Sequence, residues 1–236
     1  MKPYQHIPIR ECSEPLVAIP LSEFAVETPH PYVKLGANYA GKSPYYLRAG
    51  VLTALQQAQA ALQQHHPGWR VQIFDAYRPV AVQQFMVDYT LQETLRSRDL
   101  RLETLSAAEQ AALWAEIYQF WALPSLDVAT PPPHSTGAAL DVTLVNADGQ
   151  PVAMGSPIDE LSPRSHPHHF AQASDPAAQQ YHAQRELLGA IMSQAGFCRH
   201  PHEWWHFSLG DQMWAWQQRQ QGHDRGAIAR YGRCEA

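Results

Sequence analysis

Two short segments concentrate side chains that could hold a metal ion. One is His134-Ser-Thr-Gly-Ala-Ala-Leu-Asp141 and the other is His202-Glu203-Trp204-Trp205-His206. On a helix, His-Glu-x-x-His sets two imidazoles one turn apart on a zinc ion, with the glutamate as base. The surroundings oppose that geometry here. Pro201 stands directly before the segment, and Trp204, Trp205 and Phe207 favour a strand, in which the two histidines would not lie one turn apart. The extended form of the motif also needs a glycine where this chain has Leu209. The other grouping joins His206 to His134 and Asp141 as three zinc ligands and leaves a fourth position to water, the layout of a catalytic rather than a structural zinc. Glu203 is then free to move a proton. Each pattern alone is short enough to arise by chance.

These side chains need elements to hold them. Val71-Gln72-Ile73-Phe74 alternates as a strand, and Asp75-Ala76-Tyr77-Arg78-Pro79 ends it at a turn, which puts Arg78 at a strand end. Ala139 to Val145 reads as a second strand, carrying Asp141 and closed by Asn146-Ala147-Asp148-Gly149. A further strand is expected from Glu203 to Leu209, and Val17-Ala18-Ile19 makes a short one near the N-terminus. Helical spacing runs from Val51 to Leu62, from Val80 to Leu95, and from Ala171 to Ala195, where Gly196 stops the pattern. Ser106 with Glu109 is a capping box, so another helix starts there and ends before Pro124. Helices early and late around a few short strands, without regular strand-helix alternation, predict an α+β fold. We expect a single domain over residues 1–236 with a small, mostly antiparallel sheet carrying the zinc site and helices packed on it. Residues 1–30, punctuated by Pro15, Pro20 and Pro29, read as an extended arm.

Composition narrows the function classes. The 236 residues suffice for a core without staples. A net charge of −5 and the lack of any Lys/Arg run leave no basic footprint for nucleic acid. Cys12, Cys198 and Cys234 form neither a disulfide framework nor a thiolate metal site, and suit a reducing compartment. No apolar run is long enough to span a membrane, and the N-terminus lacks the apolar stretch of a secretory signal, so a cytoplasmic protein without a membrane partner is expected. Cys198 reads as a buried apolar side chain rather than a nucleophile, and His168 and His169 as polar loop residues.

Six stretches occur in order: Asn38-Tyr39-Ala40-Gly41, Asp75-Ala-Tyr77-Arg78-Pro79, the His134-to-Asp141 segment, Met154-Gly to Asp159, Arg164-Ser165-His166 and Glu203-Trp-Trp-His206-Phe207. In these the sequence resembles the D-alanyl-D-alanine dipeptidases of the vancomycin-resistance type, in the zinc peptidase group that also holds D,D-carboxypeptidases and the hedgehog signalling domain. The resemblance runs from Tyr32 to Leu209. It implies one zinc ion per chain on His134, Asp141 and His206, Glu203 as the catalytic carboxylate and Arg78 as the transition-state arginine. Asp159 and Tyr32 match positions that hold the ammonium group of a small dipeptide substrate, and His166 is marked as near the site. Pro132 stands where many relatives carry a substrate-binding serine, a departure that touches substrate preference rather than reaction class.

The expected function is zinc-dependent hydrolysis of a D-alanyl-D-alanine-type dipeptide to free amino acids. Two alternatives remain: a peptidoglycan-trimming D,D- or L,D-carboxypeptidase of the same group, and a zinc-holding module without catalysis. Arg78 has a blander reading as one half of a surface ion pair with Asp75. A dipeptidase must also meet its substrate's carboxylate with a cation, and no residue pattern identifies that cation.

Overall fold

A computed structural model describes residues 2–234. Its centre is a five-stranded sheet in the order β2-β4-β5-β7-β6, made of β2 (Ala25–Val26), β4 (Arg70–Asp75), β5 (Ala139–Val145), β6 (Cys198–Arg199) and β7 (His206–Ser208). Within this sheet the β2–β4 pair is parallel and the β4–β5, β5–β7 and β6–β7 pairs are antiparallel. A second, two-stranded sheet joins β1 (Leu16–Ala18) to β3 (Tyr46–Arg48).

Side-chain alternation in the strands fixes which residues face the core. On β5, Leu140, Val142 and Leu144 enter the main apolar cluster, as do Val71 and Ile73 on β4 and Phe207 on β7. That cluster is closed by α2 (Ala49–His65) and α5 (Pro176–Gln194), which supply Leu55, Leu62, Leu188 and Met192. Each such side chain, fully or almost fully buried, contributes roughly 1.5–3 kcal/mol. A one-residue slip would turn the whole set toward the opposite face, so the apolar alternation also sets the register of the polar residues between them.

The other helices form a second body of core. α3 (Val80–Ser97) and α4 (Ala107–Phe120) pack Met86, Val87, Leu91, Leu113 and Ile117 together with Tyr32 of α1 (Pro31–Lys34), and Phe74 of β4 joins them. Ser106 caps α4 as expected: its hydroxyl accepts from Glu109 N–H at 3.3 Å, and the Glu109 carboxylate accepts from Ser106 N–H at 2.8 Å. Among the described residues no helix is long and apolar enough to cross a membrane. The last helix, α6 (Gln212–Gln220), lies against a 3₁₀ turn at Pro3–His6. Gln212 Nε2 donates to Ile7 O at 2.7 Å, and Arg10 N–H donates to Ala229 O at 2.8 Å, which ties the N-terminal segment to the C-terminal end.

Two element boundaries differ from the sequence expectation. The helix expected from Ala171 starts at Pro176, because the Asp175 carboxylate accepts from Ala178 N–H at 3.0 Å and proline is preorganised for the first helical position. The strand expected from Glu203 is limited to His206–Ser208. The tryptophan pair before it is diverted: Trp204 N–H donates to Ser165 O at 3.0 Å, outside the sheet, and only the Trp205 carbonyl still accepts from β5, from Val142 N–H at 3.0 Å.

Candidate active site

Three neighbouring strands present a row of polar side chains. A register shift after Ile73 brings Asp75 of β4 opposite Asp141 of β5, and Asp141 in turn stands opposite His206 of β7. His134 arrives from a 3₁₀ turn, Pro133–Thr136. Gly137 closes that turn at φ 69°, a left-handed conformation that favours glycine, and leads the chain directly into β5.

His134, Asp141 and His206 thereby meet, all buried. His134 Nε2 lies 3.2 Å from His206 Nδ1 and 3.3 Å from Asp141 Oδ2, and His206 Nδ1 lies 3.0 Å from Asp141 Oδ1. Ligand atoms on a tetrahedral ion with bonds of about 2.0–2.1 Å stand roughly 3.3 Å apart, so the three edges fit such an ion closely. The far side of each ring is also engaged. His134 Nδ1 is 2.8 Å from Ala76 O, and His206 Nε2 is 3.4 Å from Ser208 Oγ. A proton on Nδ1 of His134 suits that carbonyl and leaves Nε2 as the free ligand atom.

Arg78 is buried beside the triad. Its Nε donates to Asp75 Oδ2 at 2.8 Å, Nη1 to Gln83 Oε1 at 2.8 Å, and Nη2 to Tyr32 Oη at 3.0 Å and Asp141 Oδ2 at 3.3 Å. Four of the five guanidinium N–H groups are so engaged, and one on Nη1 remains. The guanidinium also lies 4.9 Å from the Tyr32 ring centre and 5.2 Å from that of Trp121. Burial alone would raise the Asp75 carboxyl, but the Arg78 charge and a hydrogen bond from His30 hold it at about 2. The ion pair with Asp75 expected at the surface is therefore present but buried, because Asp75 closes the inner end of β4 and Arg78 is enclosed by Tyr32 and Trp121.

Asp159 and Tyr32 also come together, with Tyr32 Oη donating to Asp159 Oδ2 at 2.8 Å. Asp159 has φ 63°, an uncommon conformation for a residue with a side chain. Burial, followed by the charge of Asp141, raises its carboxyl to about 7. Its loop is held at both ends. The fully buried Arg185 of α5 donates to Met154 O at 2.7 Å, His166 O at 2.9 Å and Ser156 Oγ at 3.0 Å, while Trp204 Nε1 donates to the same Ser156 Oγ at 3.0 Å.

Glu203, next to Trp204, faces the triad without touching it: Oε2 is 3.9 Å from His206 Nδ1 and Oε1 is 3.7 Å from His200 Nδ1. Burial, then the Asp141 charge, pushes its carboxyl well above the usual range. Arg78, Asp141, Asp159, Glu203, His134 and His206 line one cleft. His202 is set apart from the triad, with its ring 4.9 Å from that of His166 in the neighbouring hollow. His168 approaches His182 and Glu186 at the surface, where Arg199 Nη2 already pairs with Glu186 Oε1 at 3.2 Å.

Several participants escaped sequence reasoning. Gln83 and Trp121 support Arg78 from α3 and from the chain beyond α4, and no pattern signals either. Asp75 carried a signal within Asp-x-Tyr-Arg-Pro, but not its contact with His134, whose Nδ1 lies 3.3 Å away. Lys2, on the cleft wall, had none.

Comparison with known proteins adds lineage to this geometry. The Peptidase M15 family, described as D-ala-D-ala dipeptidase, matches residues 26–224. A D-alanyl-D-alanine dipeptidase of Synechocystis sp. is 50% identical over 242 aligned positions, covering 100% of this chain and 98% of its own. One of Escherichia coli is 33% identical over 181 positions, covering 73% of each chain. The solved structure of VanYB in complex with D-alanine-D-alanine aligns at TM-score 0.47 with 17% identity, covering 78% of this chain and 81% of that one. With a family match across most of its length and a relative at half identity over all of it, the chain belongs to the Peptidase M15 family, a group of metallopeptidases.

Proposed function

We propose that this chain hydrolyses D-alanyl-D-alanine, or a closely similar D,D-dipeptide, to free amino acids, with one zinc ion per chain on His134, Asp141 and His206. The observation that carries the reading is the convergence, in one buried cleft, of that His/Asp/His set with Glu203, Arg78 and Asp159. Zinc so held supplies a Lewis acid and a water acidic enough to lose a proton near neutrality.

The remaining work falls to side chains of this chain. Glu203, free of the ligand set, takes the proton from the attacking water and passes it to the departing amine. The N–H that Arg78 has left over meets the carbonyl oxygen as it gains charge, where a single donor commonly contributes about 3–4 kcal/mol. Asp159 and the Tyr32 hydroxyl receive the substrate's ammonium, and the arriving cation draws Asp159 into its carboxylate form. Three free cysteines suit a cytoplasmic setting for this activity.

The test is a substrate panel with the zinc-loaded protein: free D-Ala-D-Ala, L-Ala-L-Ala, and longer peptides ending in D-Ala-D-Ala. Cleavage of the free D,D-dipeptide alone is the expected result. Cleavage of longer peptides would make the chain a carboxypeptidase, and one bound zinc without any hydrolysis would make it a binding module.

A further inference from the structure

The cleft has an anionic end at Asp159 and a cation at its other end, supplied by a residue 157 positions earlier in the chain. Lys2 lines the same cleft as Arg78, Asp141 and Glu203, and Tyr4 forms the wall beside it. The segment is held in place there. Lys2 N–H donates to Gln5 Oε1 at 2.8 Å, Gln5 N–H donates to Lys2 O at 3.0 Å, and Tyr4 and Ile7 are 4% and 6% exposed. The bond from Gln212 to Ile7 O then fixes the turn to α6.

The order of charges follows from the hollows that border the cleft. Lys2 also lines the neighbouring hollow with His200 and His202, whereas Asp159 lines a separate one with Tyr32 and Trp121. The two charges therefore border different ends of the cleft, with Lys2 on the side of His200. Among the described residues no carboxylate comes within ion-pair distance of the Lys2 ammonium, although it is partly removed from water. A cation so placed gains from an anion that enters the cleft.

We propose that Lys2 forms the carboxylate subsite of this cleft, binding the free C-terminal carboxylate of a dipeptide whose ammonium lies at Asp159. The proposal rests on the dipeptidase reading above and supplies the group that reading lacks. A zwitterionic dipeptide carries its two charges on opposite sides of the scissile bond. With the ammonium at Asp159 and the departing amine at Glu203, its carboxylate points to the Lys2 side. The turn at Pro3–His6 then acts as an end stop, and a chain extended at either terminus loses one of the two charge contacts.

The experiment compares D-Ala-D-Ala with its C-terminal amide on wild type, Lys2→Ala and Lys2→Arg, with melting temperatures measured alongside. A charge-assisted contact of this type corresponds to about 10- to 100-fold in affinity. The preference for acid over amide, as a ratio of kcat/KM values, should fall by about that factor in Lys2→Ala, chiefly through KM, and largely recover in Lys2→Arg. A wild type that cleaves D-Ala-D-Ala, with a Lys2→Ala ratio equal to its own, overturns the subsite alone. A wild type inactive on D-Ala-D-Ala overturns the dipeptidase reading and the subsite with it.

Discussion

Asp75 and Arg78 are joined twice inside the protein, with Nε at 2.8 Å and Nη2 at 2.7 Å from the same carboxylate oxygen. Removing the Asp75 charge by Asp75→Asn leaves the guanidinium buried and poorly matched, a change that typically costs about 3–5 kcal/mol. A clear fall in melting temperature is expected. Because the stabilising carboxyl sits at about 2, below its ordinary value, its contribution is complete above pH 4 and disappears as pH falls toward 2. The difference in melting temperature between wild type and Asp75→Asn should therefore shrink in acid.

Arg78 itself is tested by kinetics. If its spare N–H meets the oxyanion, Arg78→Ala lowers kcat by about 10²–10³ with a smaller change in KM, since that charge is complete only in the transition state. Lys at this position restores only part, because an ammonium cannot reproduce the fork that spans Asp75, Gln83 and Tyr32. A loss confined to KM would make Arg78 an anchor for a substrate charge instead.

Metal content separates the two histidines of the His-Glu-Trp-Trp-His segment. His206→Ala should lose most of the bound metal, while His202→Ala should retain close to one ion per chain by atomic absorption. Retention by the first variant and loss by the second would reassign the ligand set.

Glu203→Gln keeps shape and removes the base. Metal content should match the wild type and dipeptide hydrolysis should fall by about 10²-fold or more. Turnover at the wild-type rate would end the role assigned to Glu203, and loss of metal would place it among the ligands.

Asp211 offers a pH test at a helix cap outside the proposed ligand and base set. It caps α6, accepting from Trp214 N–H at 2.8 Å, and burial raises its carboxyl to about 6. A raised value means the folded state holds the proton more tightly, so the stabilisation is present below about pH 4 and is lost as pH rises through 6. Asp211→Asn keeps an acceptor for the cap and carries no charge. Its melting temperature relative to wild type should rise between pH 4 and pH 7, and a flat difference would contradict the shift.

The grouping of His134, Asp141 and His206 was legible in the sequence from its motifs and the strands around them, while the register that brings the three together was not. Leu140, Val142 and Leu144 alternate with Asp141, and the aromatic residues around His206 mark a neighbouring strand. The Ser106/Glu109 box likewise announced α4 from two residues. Contacts made by packing across long stretches of chain left no such trace. Trp121 reaches Arg78 only once α3 and α4 have folded together, and Lys2 reaches the cleft only through the docking of a turn on α6. Glu203 shows an intermediate case: the residue was readable, but its place on a bent segment rather than a strand depends on a bond from Trp204 to Ser165 O.

Arg185 has a consequence for anyone who would alter substrate choice by exchanging loops between relatives. The segment around Asp159 takes its shape from a guanidinium on a distant helix and from the indole next to Glu203. A graft of residues 154–166 alone would carry the new sequence without the two side chains that hold it. The transferable module is discontinuous: the loop, Arg185 and Trp204 move together, or the graft arrives unshaped.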